Sequence, residues 1–186
     1  MIWISVPLLL FTTIPSPDGD PACITSASAE SLAKRASPLD SVSFVVGATR
    51  VKICYSRPSS RGRTMIGGKS VPFEKLWRTG ANEPTMIHTS GPITLAGVAL
   101  DAGTYAIYTV PDIVEWTIIV NRSTTQWGDE GSYSESIKKQ EVGRGKAPVS
   151  ALPQHVEQFT IRPEVKGSWG ALLFEWEKTR VMVAMK

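Results

Sequence analysis

From residue 39 onward the chain alternates apolar and polar positions with a period of two. In "SVSFVVGATRVKICYS", Val42, Phe44 and Val46, then Val51, Ile53 and Tyr55, fall on one face around Gly47-Ala48, a pattern that predicts a β-hairpin. Further strands are predicted from "TMIHT", "ITLAGVAL", "GTYAIYTV" and "EWTIIVN". The last alternates Trp116, Ile118 and Val120 against Glu115, Thr117 and Asn121, with Ile119 the one apolar residue on the polar face. Pro111 and Asp112 break the chain before it and predict another hairpin. "EVGRGKAPV", "VEQFTIRP", "WGALLFEW" and "TRVMVAMK" complete the set, the last two expected to be joined by a tight turn at Glu177-Lys178. Residues 126–140 carry the one helical signal, with Ser132 or Ser134 as N-cap ahead of Ile137 and a lysine-rich end. Short strands separated by Gly and Pro turns imply an all-β fold: a single antiparallel β-sandwich, jelly-roll-like, with one short helical segment near 132–140.

The region before residue 39 behaves differently. "MIWISVPLLLFTTI" is apolar, too short to span a bilayer and long enough for the h-region of a secretory signal, although no Lys or Arg precedes Lys34. The alternative is a buried N-terminal strand. We expect residues 1–22 to be a signal peptide or lipoprotein leader, 23–38 a flexible linker in which "AESLAKRA" has faint helical spacing, and 39–186 the sandwich domain. The expected location is therefore the periplasm or cell envelope. Cys23 in "GDPAC" stands where a lipid-anchored cysteine would stand, although Asp20 and Pro21 occupy places where small apolar residues are usual. Three fates are open to it: lipidation, a free thiol, or a bond to Cys54.

A chain of 186 residues with 42% hydrophobic and 20% charged residues suffices for one globular core. Its net charge of +3, from 20 basic and 17 acidic residues, is too small and scattered for a nucleic-acid footprint. No spacing among Cys23, Cys54, His88 and His155 suits a metal site, and neither a metal nor another cofactor is expected. "GRTMIGGKS" imitates a phosphate-binding loop at Gly68, Lys69 and Ser70, but Arg63 replaces the first glycine and Pro72 opposes the helix such a loop requires. Ser31 and Ser136 begin Ser-x-x-Lys matches without companion motifs. His88 and His155 show no partner in sequence, and a lone strand histidine is more often a satisfied structural residue than a base. Asn121-Arg122-Ser123 is a glycosylation sequon, relevant only on a eukaryotic secretory route.

The densest chemistry lies in two loops. "YSRPSSRGR" supplies Tyr55, Arg57, Arg61 and Arg63, and "LWRTGANEPTMI" supplies Trp77, Arg78, Asn82 and Glu83. Arginines beside a carboxylate form fixed, bidentate hydrogen bonds, which hold a loop in place or present guanidinium forks to a ligand. Gly80 and Asn82 are expected to shape the turn, Glu83 to neutralise an arginine, and Pro84 to commit the chain to the next strand.

Together with "VPFEKLWRTGANEPT", "AGTYAIYTVP", "EWTIIVNR", "QWG" and "FEWEKTRVMV", these motifs resemble a bacterial family known as domain of unknown function 2911, over roughly residues 38–186. The resemblance implies exported, sometimes lipid-anchored, β-rich proteins with no established activity. It places the family's motif residues at Arg57, Pro58, Gly62, Arg63, Trp77, Arg78, Gly80, Asn82 and Glu83; Lys69-Ser70 departs from the more apolar run usual before the Val-Pro pair.

Three functions fit the residues. The first is a noncatalytic binding module of the cell envelope, taking an unidentified small molecule or envelope component such as a glycan, with Arg57, Arg63, Trp77, Arg78, Asn82 and Glu83 as candidate binding residues and Trp127 as a second aromatic surface. The second is a hydrolase-type enzyme using Glu83 beside Arg78, with Asp101, Asp112 or Glu115 as its second ionisable group. The third is a purely structural or assembly role. Binding is preferred because no nucleophile, base pair or metal set is visible, and membrane contact is expected only through an anchor at Cys23.

Overall fold

The computed structural model describes residues 19–186, so most of the expected leader lies outside the described residues. The described chain is built on nine strands: β1 (Leu39–Val46), β2 (Thr49–Ser56), β3 (Thr85–Thr89), β4 (Ile93–Leu95), β5 (Val98–Leu100), β6 (Gly103–Val110), β7 (Glu115–Asn121), β8 (Glu141–Lys166) and β9 (Trp169–Met185). Two short helices, α1 (Ala29–Ala33) and α2 (Glu135–Lys138), and a 3₁₀ turn at Glu130–Ser132 complete it. No helix among the described residues is long and apolar enough to cross a membrane.

All strand pairs are antiparallel, in the order β1-β2-β3-β6-β7-β8-β9-β4-β5. The β4–β5 hairpin interrupts an otherwise sequential meander and crosses to the far edge, where Leu95 pairs with Met185. The sheet folds over on itself, and hydrogen bonds from Gly47 N to Gly167 O and from Phe159 N to Pro58 O tie its first strands to the β8–β9 ribbon. The result is the expected all-β, antiparallel, sandwich-like fold, with its main core between the folded halves.

Period two explains which side chains fill that core. Val51, Ile53 and Tyr55 of β2 meet Ile87 of β3, Tyr105 and Ile107 of β6, and Trp116, Ile118 and Val120 of β7. Ile119 breaks the alternation because the opposite face is also covered: it joins Ala106 and Tyr108 in a second small cluster packed by Leu76, Val110 and Tyr133. Tyr133 belongs to the polar segment before α2, and its ring meets Tyr108 edge-on at 4.6 Å. The helical segment expected near 132–140 is thus the lid on that second face. Asn121 is fully buried beneath it, with Nδ2 donating to Tyr133 Oη and Ile137 O, so the sequon is structural.

Two strand expectations require correction. "ITLAGVAL" is two strands, because Ala96 and Gly97 both adopt positive φ (49° and 84°) and close a two-residue hairpin. Glu177-Lys178 is not a turn: β9 runs through it, Glu177 at φ 54° inserting a bulge against β8, whose register shifts between Ala151 and Thr160. The bulge moves the buried set from Leu172, Phe174 and Trp176 to Val181, Val183 and Met185, a change of parity along one strand. The real turn is Gly167, at φ 63° between β8 and β9.

The stretch expected to be a flexible linker is instead fixed. Cys23 is bonded to Cys54 on the outward face of β2. Ser28 caps α1 through Ser31 N, Lys52 Nζ donates to Pro21 O, and Arg35 reaches the loop ahead of β3. The sulfur a lipid anchor would require is consumed by the disulfide. A cross-link spanning 31 residues removes loop-closure entropy from the unfolded chain worth about 3–4 kcal/mol. The paired Cys23→Ser/Cys54→Ser variant is therefore expected to melt roughly 10 °C lower, checked by circular dichroism with and without reductant; two titratable thiols in the native, unreduced protein would contradict the bond.

Candidate functional site

The loop "LWRTGANEP" runs in the sheet ahead of β3, beside β6, with Trp77 facing the main core and Leu76 the second cluster, and its first ring anchors it. Trp77 is 4% exposed and stands in an aromatic cluster, parallel to Trp176 at 5.9 Å and edge-on to Trp116 and Phe159 at 5.8 and 5.1 Å. Its indole Nε1 donates to Gly80 O, and its backbone exchanges two hydrogen bonds with Thr109. Trp77 is a core residue, almost wholly covered by protein, although it also contributes to the lining of the cleft beside Arg78.

The loop then turns tightly through Thr79 and Asn82, both left-handed at φ 59° and 61°. A β-branched residue there is strained, and only surrounding structure can hold it. Thr79 is fully buried; its hydroxyl donates to Thr109 Oγ1 and its carbonyl accepts from Thr85 Oγ1. Gly80 is required by close approach, since a Cβ there would lie 2.9 Å from Ser56 O. Gly128 of "QWG" presses on the other side, where a Cβ would meet Asn82 O at 2.4 Å.

Glu83 does neutralise an arginine, but the arginine comes from the N-terminal segment. Arg35 Nη1 and Nη2 donate to its two oxygens at 2.6 and 2.7 Å, and Thr25 Oγ1 donates at 2.6 Å. Burial alone pushes the Glu83 carboxyl up, but the Arg35 and Thr25 hydrogen bonds outweigh it and hold it below the usual carboxylate range. Asn82 Nδ2 donates to Ser37 O nearby. Both oxygens of Glu83 are committed, which suits a structural counter-ion better than an acid or base. Of its expected partners, Glu115 pairs with Lys146, and Asp101 lies beside the β4–β5 hairpin.

The "YSRPSSRGR" arginines are likewise bound to backbone. Arg57 donates to Phe159 O and Thr160 Oγ1 and pairs with Asp40 at 3.2 Å, while Arg63 donates to Ser59 O and Ser60 O. Arg57 secures this loop to β8, and Arg63 closes the loop on itself. Beside them lies a Ser/His/Glu group that the sequence did not disclose. His155 Nε2 is 3.3 Å from Ser60 Oγ and 3.2 Å from Glu157 Oε2. A catalytic triad needs the carboxylate and the nucleophile on opposite ring nitrogens, whereas both groups here meet Nε2, and the buried Ser60 donates its proton to Glu157. Hydrogen bonds from Ser60, Arg61 N and His155 hold the Glu157 carboxyl down at about 2.

Arg78 is the exception. Its Nη1 donates to Asn82 O at 3.2 Å, and Nη2 stands 3.9 Å from half-exposed Glu130, leaving most of five guanidinium donors uncommitted. The side chain is 21% exposed at the mouth of a cleft of about 180 Å³ lined by Pro58, Met65, Val71 and Trp176, with Ser70 on its rim. On the other flank of the loop, Trp127 is exposed over a second hollow, which reaches Glu83 and Met86. "GRTMIGGKS" forms one wall of the Arg78 cleft as an irregular loop, with no helix after it. Among the described residues, no group of three or more His, Cys, Asp or Glu side chains is placed to hold a metal ion.

A family model described as "Protein of unknown function (DUF2911)" matches residues 37–185. Comparison with curated proteins and with solved structures gave no match.

The Arg35–Glu83 geometry fixes the sign of a pH effect. A carboxyl held below its ordinary value of 4.5 contributes stability that is complete above that value and is lost as pH falls through the lower folded value. Glu83→Gln leaves Arg35 buried without its counter-charge and is expected to cost about 3 kcal/mol at pH 7. The gap from the unmutated protein should narrow as the medium is acidified below 4.5, read by urea denaturation at each pH. A gap that stays constant into the acid range would contradict the pairing.

Proposed function

The chain belongs to the DUF2911 family, and from that premise we propose that it is an exported, noncatalytic binding module of the cell envelope whose ligand enters the cleft beside Arg78. The observation that carries the binding reading is the contrast within one loop: Trp77 and Glu83 are consumed by the fold, while Arg78 keeps free donors at the mouth of a cleft. A guanidinium next to Met65, Val71 and Trp176 suits a ligand with a carboxylate or hydroxyl head and an apolar or sugar-ring body. At about 180 Å³ the cleft takes a terminal group of a larger molecule, since pockets for whole drug-sized ligands run from about 300 Å³ upward. Export is supported by the Cys23–Cys54 disulfide, because such bonds persist in oxidising compartments.

A structural role is the second reading, favoured by Trp77 in the core and Glu83 on Arg35. A thermal-shift screen against glycans, peptidoglycan fragments and small carboxylates separates the two. A ligand at 100 times its Kd is expected to stabilise the unmutated protein by about 2.7 kcal/mol, and the shift should vanish in Arg78→Ala. If nothing raises the melting temperature while Arg78→Ala lowers it by more than a surface change should, about 0.5 kcal/mol, the structural reading replaces this one. Cell fractionation that leaves the protein in the cytoplasm would overturn the export reading.

A further inference from the structure

A third hollow, on the outward face of the sheet and separate from both the Arg78 cleft and the hollow under Trp127, has a different chemistry. Strand register sets Lys52, His88 and Thr104 side by side across β2, β3 and β6. With Arg50 and Ser90 they line a pocket of about 240 Å³, and among the described residues Asp20 supplies the one carboxylate on its wall. His88 is 6% exposed, and its Nδ1 lies 2.7 Å from Thr104 Oγ1, but its Nε2 is buried with no hydrogen-bond partner. A buried ring nitrogen left unpaired is unfavourable, and most such groups have a partner. When the Thr104 hydroxyl donates to Nδ1, the ring proton sits on Nε2, so histidine becomes a donor beside two cations.

We propose that this pocket is an oxyanion site that takes the phosphoryl group of a phosphomonoester, with Lys52, His88 Nε2–H and the Ser90 hydroxyl as donors and Arg50 adding positive charge to the wall. The chemistry of the set supports the choice. Ser90 Oγ already accepts from Arg50 N, which leaves its proton to give. Lys52 Nζ spends one of its three protons on Pro21 O. Donors from β2, from β3 and from the residue after it gather on one sheet face, and their number suits an anion with several acceptor oxygens better than a carboxylate with two. Burial first and the Lys52 charge second hold the His88 imidazole below its ordinary value, which favours the neutral ring. A dianion between Lys52 and His88 reverses the second effect and favours the imidazolium. Among the described residues, Arg50 and Lys52 on β2 and Asp20 on the N-terminal segment are the charged groups around it; β3 and β6 contribute none to the lining.

The chain has two histidines, so NMR of the ring Cε1–H signals reads the site directly, with His155 as internal reference. The full chain is titrated with inorganic phosphate and with glycerol 3-phosphate against sodium chloride at matched ionic strength. A saturable shift of His88, with its titration midpoint rising by about one pH unit or more, is expected, while His155 stays still. Lys52→Met and Thr104→Val are made separately so that one folded variant suffices, and either should weaken the response roughly tenfold. Co-sedimentation with neutral vesicles doped with phosphatidic acid distinguishes a lipid headgroup from a soluble phosphomonoester. A His88 signal that ignores phosphate, that moves equally in chloride, or that responds as strongly in both variants overturns the site; acetate binding as tightly as phosphate overturns the phosphoryl assignment.

Discussion

The position of the N-terminal segment depends on one buried carboxylate. Glu83 is buried beneath the N-terminal segment, where an unpaired charge would be far too costly. No arginine of its own or the neighbouring loop reaches it. The charge is met by Arg35, so the chain from Thr25 to Ser37 must lie across the sheet, with Ser37 O receiving Asn82 and Pro38 O receiving Arg57 N. That sequence of contacts delivers the backbone directly into β1, and the Cys23–Cys54 bond fixes its other end.

The same constraint divides the candidate residues between support and recognition. Trp77 fills the aromatic core, Asn82 and Gly80 hold the turn, Glu83 binds the N-terminal segment, Arg57 holds the preceding loop on β8, and Arg63 closes that loop on itself. Strain at Thr79 is tolerated because its neighbours are all fixed. What such a frame provides is a rigid platform for Arg78, whose guanidinium is held at its base by Asn82 O and open towards the cleft. Preorganisation of this kind lowers the entropy that binding must offset.

Local features of the fold were legible in the sequence, and distant pairings were not. Alternation of Val51, Ile53 and Tyr55, or of Trp116, Ile118 and Val120, reports burial on one face, and the structure buries those faces. Pro84 before β3 and Ser134 before α2 act through neighbouring backbone and are equally readable. Ala96-Gly97 escaped because alanine at positive φ is an uncommon turn former, and Glu177 because a single-residue bulge leaves the apolar pattern nearly intact while shifting its parity. The partners of Glu83, Cys54 and Ser60 lie 48, 31 and 97 residues away along the chain, and no periodicity encodes such distances. The segment 23–38 looked flexible because its composition is polar and small; its order comes from a disulfide, an ion pair and caps rather than from a buried apolar face.

If Glu83 holds the N-terminal segment through Arg35, the two side chains must be energetically coupled. A double-mutant cycle with Arg35→Ala and Glu83→Gln, measured by urea denaturation at neutral pH, tests this directly. The predicted coupling is about 2 kcal/mol or more, each single variant losing most of what the pair loses. Effects that add to within about 0.5 kcal/mol would contradict it and return the N-terminal segment to the status of a loosely attached linker.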